Sequence, residues 1–203
     1  MFAFSVRSSP DAVIDGKRIF LRHATANDYP EWATLRRESR SHLERWEPRW
    51  HEQDLTRPAY RARLRRYTRE IDAGTARPFL VCRHGDDAIL GGITIGNIRR
   101  GVAQSAQLGY WLGQRFAGHG FMSEAVGLAC TFGFSSLGLH RIEAACLPDN
   151  ARSIAVLRRN GFEQEGVLRS YLKINGDWRD HILFSRINPV HGETPTHVLG
   201  GDQ

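Results

Sequence analysis

Two glycines, Gly118 and Gly120, lie between a strand-like and a helix-like segment and carry the clearest chemical signal in the sequence. In residues 106–113, alternate positions are apolar, which is the period of a β-strand. From Met122 onward, apolar residues recur at helical spacing. Glycines let backbone N–H groups turn toward one point, and a helix start adds unpaired donors and a partial positive charge. The segment therefore predicts a phosphate or diphosphate site built from main-chain amides, with no cationic side chain required.

Several kinds of turn could use these glycines. A P-loop needs Lys and Ser or Thr directly after its last glycine, and Phe121 and Met122 stand there, so this interpretation fails. A dinucleotide-binding turn prefers a third glycine where Ser123 stands, although Glu143 follows about 20 residues on, where a ribose-binding acid could lie. The remaining interpretations are a turn that binds acyl-coenzyme A and an ordinary strand–helix turn.

The length and composition are those of a folded domain. The chain has 203 residues, which is enough for one domain with a sizeable core, and its apolar fraction of 41% excludes wholesale disorder. No apolar run approaches the roughly 18 residues that span a bilayer. The three cysteines form no CxxC pair, so we expect neither a disulfide framework nor a metal site. With no secretory signal recognisable, we expect a cytoplasmic protein without a membrane partner.

The formal charge of +6 and the pI of about 9.7 favour polyanionic partners. Six arginines lie within residues 57–69, while Tyr60, Leu64, Tyr67 and Ile71 form one apolar stripe of a helix. A nucleic-acid-binding helix would fit this composition. A solvated helix face is the commoner meaning of such a run, so we do not expect nucleic acid as the partner.

The predicted order of elements is strand, two helices, three strands, helix, strand, helix and two strands. The segments are a strand at 17–23, helices starting near 25 and spanning 57–71, strands at 78–83, 88–95 and 106–113, a helix at 120–136, a strand at 140–147, a helix from 150 to 160, and a hairpin over 167–187. Only one parallel crossover is evident, through helix 120–136. A doubly wound dinucleotide fold needs several such units, so that interpretation is demoted.

Three parts of the chain together resemble one family, the GNAT acetyltransferases. Arg115-x-x-Gly118-x-Gly120 resembles the family's pyrophosphate turn, and residues 148–153 with 159–162 resemble its second coenzyme A segment. The whole run 108–187 is similar to the RimJ/RimL type, which is named for ribosomal-protein N-terminal acetylation. The resemblance implies an α/β fold with a central, mostly antiparallel sheet, one splayed parallel strand pair and flanking helices. It covers residues 17–187, between an N-terminal lead-in (1–16) and a flexible C-terminal tail (188–203).

The activity implied by the resemblance is acetyl-CoA-dependent N-acetylation by direct attack in a ternary complex. The expected acceptor is the N-terminal α-amino group of a protein or peptide. A small amine, such as an antibiotic, an amino acid or a polyamine, stays open as the acceptor. A non-catalytic protein that binds CoA or nucleic acid also stays open, and a homodimer is compatible with the sequence.

The resemblance also assigns the residues that bind the cofactor. They are Tyr110, Trp111, Leu112, Arg115, Gly118, His119, Gly120, Phe121, Met122, Asn150 and Ser153. Tyr110, Trp111 and Leu112 are expected to use backbone groups. Asn150 caps a helix and also reaches pantetheine, while His119 touches a cofactor phosphate or solvent.

Two residues are predicted to do the chemistry. Ser153 is the candidate acid for the leaving thiolate, or else a plain serine in the first turn of its helix. Glu143 is the candidate base, or else a salt-bridged strand residue. RimL relatives often carry a glutamate where Leu172 stands, which puts a transferred base in doubt.

The residues expected to wall the acceptor site are Trp46, Glu47, Tyr171 and Asp180. Tyr171, Asp180 and His181 are also alternatives for the base, although a structural network among them is the commoner role for such a group.

Overall fold

The computed structural model describes residues 14–190, and an eight-stranded mixed sheet forms its centre. Its strands are β1 (Ile14–Asp15), β2 (Ile19–Arg22), β3 (Arg77–Arg83), β4 (Ile89–Arg99), β5 (Ser105–Leu112), β6 (Arg141–Cys146), β7 (Glu163–Ile174) and β8 (Asp177–Ile187). Their order in the sheet is β1-β2-β3-β4-β5-β6-β8-β7. Only β5 and β6 pair in parallel among these strands. The predicted fold class, a mostly antiparallel sheet with one parallel pair, is confirmed.

Helices cover both faces of the sheet. They are α1 (Tyr29–Glu38), α2 (Arg40–Leu43), α3 (Arg57–Asp72), α4 (Phe121–Ser135) and α5 (Ala151–Arg159). Successive side chains of a strand point to opposite faces. On β5, Tyr110 reaches Ser153 of α5, whereas the ring of its neighbour Trp111 lies against Arg36 of α1. The sheet therefore has an α4–α5 face and an α1–α3 face.

The first predicted helix is divided at Ser39. Trp32, Leu35, Ser39 and Leu43 are all buried, as the helical stripe predicts, but α1 ends and α2 begins at Ser39. The hydroxyl of Ser39 accepts a hydrogen bond of 2.9 Å from the backbone N–H of Gln114. The break thus ties the α1–α2 segment to the chain just after β5.

The last two strands form the predicted hairpin. Asn175 and Gly176 both have positive φ (45° and 99°), which is the conformation of the tight turn expected for Asn-Gly. A bulge interrupts β7, where Ser170 has φ 47°. The Asp180 carboxylate accepts the Ser170 N–H at 2.8 Å and so closes this bulge.

The edges of the domain extend slightly beyond the predicted bounds. Ile14 and Asp15, placed in the lead-in by the sequence, pair with β2 as β1. Beyond the last strand, Asn188 is buried and donates to the carbonyl of Leu139 at 3.0 Å. Residues 1–13 and 191–203, which hold most of the predicted lead-in and tail, lie outside the described residues. No helix within residues 14–190 is both long and apolar enough to cross a membrane.

Candidate functional site

The parallel strands β5 and β6 separate soon after they begin. They pair only from Ser105 to Gln107 on β5, and β5 then runs on to Leu112. The N–H of Gly113 donates to Leu90 of β4, so by alternation the backbone groups of Tyr110 and Leu112 face the gap. Within the described part of the chain, main-chain donors and acceptors of these two residues are therefore free on the inner edge of β5, where the resemblance implies that backbone groups bind the cofactor.

Trp111 is placed differently from the prediction. Its carbonyl points toward β4, as shown by its closeness to Gly91, where an added side chain would collide with it. The backbone of Trp111 is thus engaged on the β4 side of the strand. Its indole lies against Arg36, so the predicted contribution of Trp111 through backbone groups facing the gap is wrong in this geometry.

The glycine turn has the conformation of an anion-binding site. Gly118 (φ 85°) and Gly120 (φ 80°) are both left-handed, and Gly120 caps the N-terminus of α4. Among the residues that the structure describes, the amides of Gly118, His119 and Gly120 have no hydrogen-bond partner. The first N–H groups of α4 add further free donors. A phosphate bound here would satisfy groups that the protein itself leaves unpaired.

A cationic side chain, Arg18, braces the outer side of this turn. Its guanidinium donates to the His119 carbonyl and to the Glu124 carboxylate, each at 2.9 Å, and its backbone N–H donates to the same carboxylate at 2.8 Å. Burial favours the neutral form of Glu124, but the hydrogen bonds from Arg18 outweigh burial and lower its pKa. Arg18 therefore holds the conformation of the turn, a contact that the sequence analysis did not predict.

A cavity of about 410 Å³, which we call the splay cleft, opens between the end of β5, the start of α4 and α5. It brings together most of the residues predicted to bind a cofactor: Tyr110, Trp111, Leu112, Gly118, Gly120, Met122, Asn150 and Ser153. A volume of this size suits a small-molecule ligand.

Three of the residues predicted to bind a cofactor do not line the splay cleft. Arg115 is exposed and lies 3.4 Å from the Glu38 carboxylate. The ring of His119 stacks loosely on Phe121, at 6.1 Å between centroids, and its Nδ1 lies 3.4 Å from the carbonyl of Phe116. Phe121 itself packs under the Arg18 guanidinium.

Two arginines that the sequence analysis did not single out, Arg152 and Arg159, also line the splay cleft. They lie seven positions apart in α5, with Ala155 and Val156 between them on the same face. This helical spacing was the signal that could have identified them. Burial, together with the charge of Arg152, lowers the pKa of His42 on the opposite wall. The cleft is consequently positive, as a phosphate ligand requires.

A pair of hydroxyl groups lies at the inner end of the splay cleft. The Ser153 hydroxyl is 2.7 Å from that of Tyr110, and the backbone N–H of Ser153 donates to the cap Asn150 at 3.1 Å. Burial raises the pKa of Tyr110, and burial raises the pKa of the Cys146 thiol to about 11. These groups all carry their protons at neutral pH, so this end of the cleft can donate a proton. The Glu47 carboxylate, which also lines the cleft, is held by Arg36.

The structure does not bring Glu143 to the gap. Its carboxylate lies 3.1 Å from Arg99 and 3.1 Å from Arg141, at the stretch where β5 and β6 still pair. This is the salt-bridged arrangement that the sequence analysis left open beside the role of a base.

Two more cavities lie beside the splay cleft. The hairpin cavity, about 610 Å³, is bounded by Trp46, Gly109, Tyr171 and His181, and the α3 cavity, about 650 Å³, lies between α3 and the sheet. Glu47 and Tyr110 line all three cavities, so the three spaces meet at this point.

The residues predicted to wall the acceptor site are divided between different roles. Trp46 and Tyr171 line the hairpin cavity. The Glu47 carboxylate is held by both Arg36 nitrogens (2.9 and 2.6 Å) and by the Trp50 indole (2.8 Å), so it shapes the wall as a fixed ion pair. Asp180 closes the bulge of β7 and does not line the cavity. Within residues 14–190, no cluster of His, Cys, Asp or Glu could hold a metal ion.

The proteins and the family model to which this chain is similar are acetyltransferases. A family model described as "Acetyltransferase (GNAT) domain" matches residues 18–163. The chain is 34% identical over 177 residues to the probable N-acetyltransferase YjcK of Bacillus subtilis (strain 168), an alignment that covers 87% of this chain and 98% of that protein. It is 33% identical over 187 residues to the ribosomal protein uS5-alanine N-acetyltransferase of Escherichia coli (strain K12), covering 92% and 96%.

A solved structure is similar over most of its length. The structure of Mycobacterium smegmatis RimJ in complex with CoA-disulfide superposes with a TM-score of 0.81 at 31% identity, covering 87% of this chain and 85% of that chain.

Proposed function

Because the chain belongs to the GNAT acetyltransferase family, we propose that it transfers the acetyl group of acetyl-CoA to the N-terminal α-amino group of a protein or peptide. The family membership confirms the resemblance inferred from the sequence. The protein is an N-acetyltransferase, and its acyl donor is acetyl-CoA. The acceptor is the part of this statement that is our proposal.

The splay cleft fits the acyl donor. The free amides of Gly118 and Gly120 and the guanidinium groups of Arg152 and Arg159 suit the diphosphate of CoA. The backbone groups of Tyr110 and Leu112 suit the amides of pantetheine, which can pair with a strand edge. The thioester would then lie at the inner end of the cleft, where the three cavities meet.

The hydroxyl pair supports a role for Ser153 as the acid. A departing thiolate needs a proton, and the Ser153 hydroxyl can donate one while it accepts a hydrogen bond from Tyr110, 2.7 Å away. The acceptor nitrogen forms its bond to the carbonyl carbon as the carbon–sulfur bond breaks. Because the acceptor attacks the thioester directly, no acyl-enzyme forms. The Cys146 thiol, which lines the hairpin cavity, is buried, and burial raises its pKa.

The size of the acceptor side carries the proposal for a peptide acceptor. The hairpin cavity and the α3 cavity, of about 610 and 650 Å³, lie on either side of Glu47 and together exceed what a small amine would fill. An α-amino group, with a pKa of about 7.7–8.0, is also more often neutral at physiological pH than lysine at about 10.4. A relative at 33% identity is named for acetylation of an alanine of ribosomal protein uS5.

A thiol-release assay with acetyl-CoA tests the acceptor. The panel holds peptides with a free N-terminus, the same peptides with a blocked N-terminus and an internal lysine, and small amines. We expect turnover only with the free α-amino group, and mass spectrometry should locate the acetyl group on the first residue. Preferential turnover of small amines or of lysine would overturn the proposed acceptor.

The same assay tests Ser153. Ser153→Ala should lower kcat by about 10²-fold, the lower end of what acid catalysis contributes, with little change in KM for acetyl-CoA. Ser135→Ala, at the far end of α4, is the matched control and should behave as the wild type. An unchanged kcat for Ser153→Ala would assign the proton to another donor.

A further inference from the structure

His181 is a buried histidine beside the proposed site, and one of its ring nitrogens has no hydrogen-bond partner within residues 14–190. It lies on β8, is only 3% exposed, and is one of the residues that line the hairpin cavity. Its Nδ1 is 3.0 Å from the backbone carbonyl of Arg179. A carbonyl oxygen only accepts, so Nδ1 carries the hydrogen and the free lone pair of the neutral ring is on Nε2.

Nothing in the described part of the chain occupies this lone pair. Nε2 has no hydrogen-bond partner there, and it is not among the fully enclosed side-chain atoms that lack one. The edge-to-face contact with Tyr171, at 5.7 Å between ring centroids, holds the ring in place. Tyr171 is itself fixed, because its hydroxyl accepts from Gln107 at 3.1 Å. A fixed imidazole therefore presents an unused acceptor at the cavity wall.

The position of His181 matches the place where the acceptor must arrive. Cys146, the last residue of β6, pairs with Ile182 of β8. His181 is the next residue of β8 and lies just beyond the end of this pairing, on the side where β5 and β6 have separated. Ser153 and Tyr110 line the same cavity as His181. The imidazole and the hydroxyl pair thus share one space.

The carboxylates near this space are already engaged. Arg36 and Trp50 hold Glu47, and two arginines hold Glu143. Asp180 accepts the backbone N–H of Ser170. Each would have to give up a charged or backbone partner before it could take a proton from a substrate.

We propose that His181 is the general base of the acetyl transfer proposed above. Nε2 takes a proton from the acceptor ammonium group, directly or through one water, and leaves a neutral amine. The amine nitrogen bonds to the thioester carbon and the carbon–sulfur bond breaks. The sulfur takes the proton of the Ser153 hydroxyl, and the serine regains a proton from the nitrogen of the new amide, which still carries two. The imidazolium then gives its proton to water. This step rests on the proposed function, since it assigns the base for that reaction.

Two substitutions test this role without relying on one that fails to fold. In His181→Asn, the side-chain amide can keep the hydrogen bond to the Arg179 carbonyl and removes the titrating ring. We expect kcat/KM for an N-terminal peptide to fall about 10²-fold, while the KM for acetyl-CoA stays unchanged. In His181→Ala, added imidazole should restore part of the lost rate, because removal of the ring creates a space, open to the cavity, that free imidazole can fill.

The pH profile distinguishes a base from a structural ring. The wild-type pH–rate profile should show a rising limb that His181→Asn lacks, because only the wild type has an imidazole at this position. The titratable groups that share the cavity are Glu47, Tyr110, Cys146, Tyr171 and Lys173, together with Arg179 beside His181 on β8. None of these is altered in the variant, so a limb that persists there would belong to one of them or to the substrate amine.

A matched control is His84→Gln, an exposed histidine in the β3–β4 turn, which should leave the rate and its pH profile unchanged. If the wild type does not acetylate the peptide, the proposed function fails. If the wild type is active and His181→Asn keeps its rate and pH limb, or His181→Ala gains nothing from imidazole, the assignment of His181 fails alone.

Discussion

A single charge placed at the start of α4 should weaken CoA binding while it supports the helix. Ser123, the third residue of α4, lines the splay cleft and accepts a hydrogen bond from Asn160 at 3.1 Å. Ser123→Asp adds a carboxylate there, and Ser123→Asn adds a neutral group of nearly the same shape. Both offer an oxygen to Asn160, so the pair of variants differs in charge alone.

The magnitude follows from distance and screening. Two unit charges about 6 Å apart repel by about 0.7 kcal/mol in water and about 2.8 kcal/mol at the effective dielectric constant of a protein surface. Ser123 is partly buried, so Ser123→Asp should bind CoA about 5- to 100-fold more weakly than Ser123→Asn. In the absence of ligand, Ser123→Asp should be the more stable of the two variants, since an acid in the first turn stabilises a helix by about 0.3–1 kcal/mol.

Calorimetric titration of CoA into both variants, at low and at high salt, measures this difference. The gap between them should narrow as salt rises. Pantetheine, which carries no phosphate, should bind both variants equally. Equal affinity of the two variants for CoA at low salt would refute the placement of the diphosphate at the helix N-terminus.

Two further predictions concern buried ion pairs. Arg36→Met leaves the Glu47 carboxylate, one-fifth exposed, with only its indole partner, and should cost about 2–4 kcal/mol of unfolding free energy in urea; adding Glu47→Gln should recover part of that loss, and strictly additive losses would contradict the coupling. Burial opposes ionisation of Asp28, but hydrogen bonds from Arg22 and Thr25 outweigh it and lower its pKa, so its contribution is present at neutral pH and is lost as pH falls through that lowered value. The free energy of unfolding, measured with urea, should therefore fall less steeply with decreasing pH for Asp28→Asn than for the wild type. The same slope in both proteins would show that Asp28 contributes nothing to this pH dependence.

Local patterns were sufficient to predict most of the fold. The cap at Asn150 accepts from Ser153, Gly161 takes a positive φ of 73° at the end of α5, and Asn175-Gly176 turns the hairpin, because each depends on residues close in sequence. The periodicities also predicted the parallel crossover through helix 120–136, whereas the splay of β5 and β6 was implied by the resemblance to the GNAT family. These elements also define most of the cleft.

Contacts between distant segments were beyond the sequence. Alternation shows that Arg141 and Glu143 share a face of β6, but not that Arg99, from the end of β4, completes the ion pair. Likewise, the sequence near Arg18 has no feature that connects it to the turn before α4. Pairing across the fold depends on tertiary packing, which a pattern in a single sequence does not encode.

The separation of β5 from β6 has a consequence for the protein's survival as well as for its chemistry. Among the described residues, the facing edges of β5 and β6 keep backbone groups unpaired beyond Gln107, which weakens the sheet there. A ligand bound between the strands satisfies such groups and stabilises the folded protein. Stability then grows with the logarithm of the donor's concentration, by about 2.7 kcal/mol at a hundredfold excess over Kd. The enzyme saturated with acetyl-CoA should therefore resist unfolding better than the free enzyme.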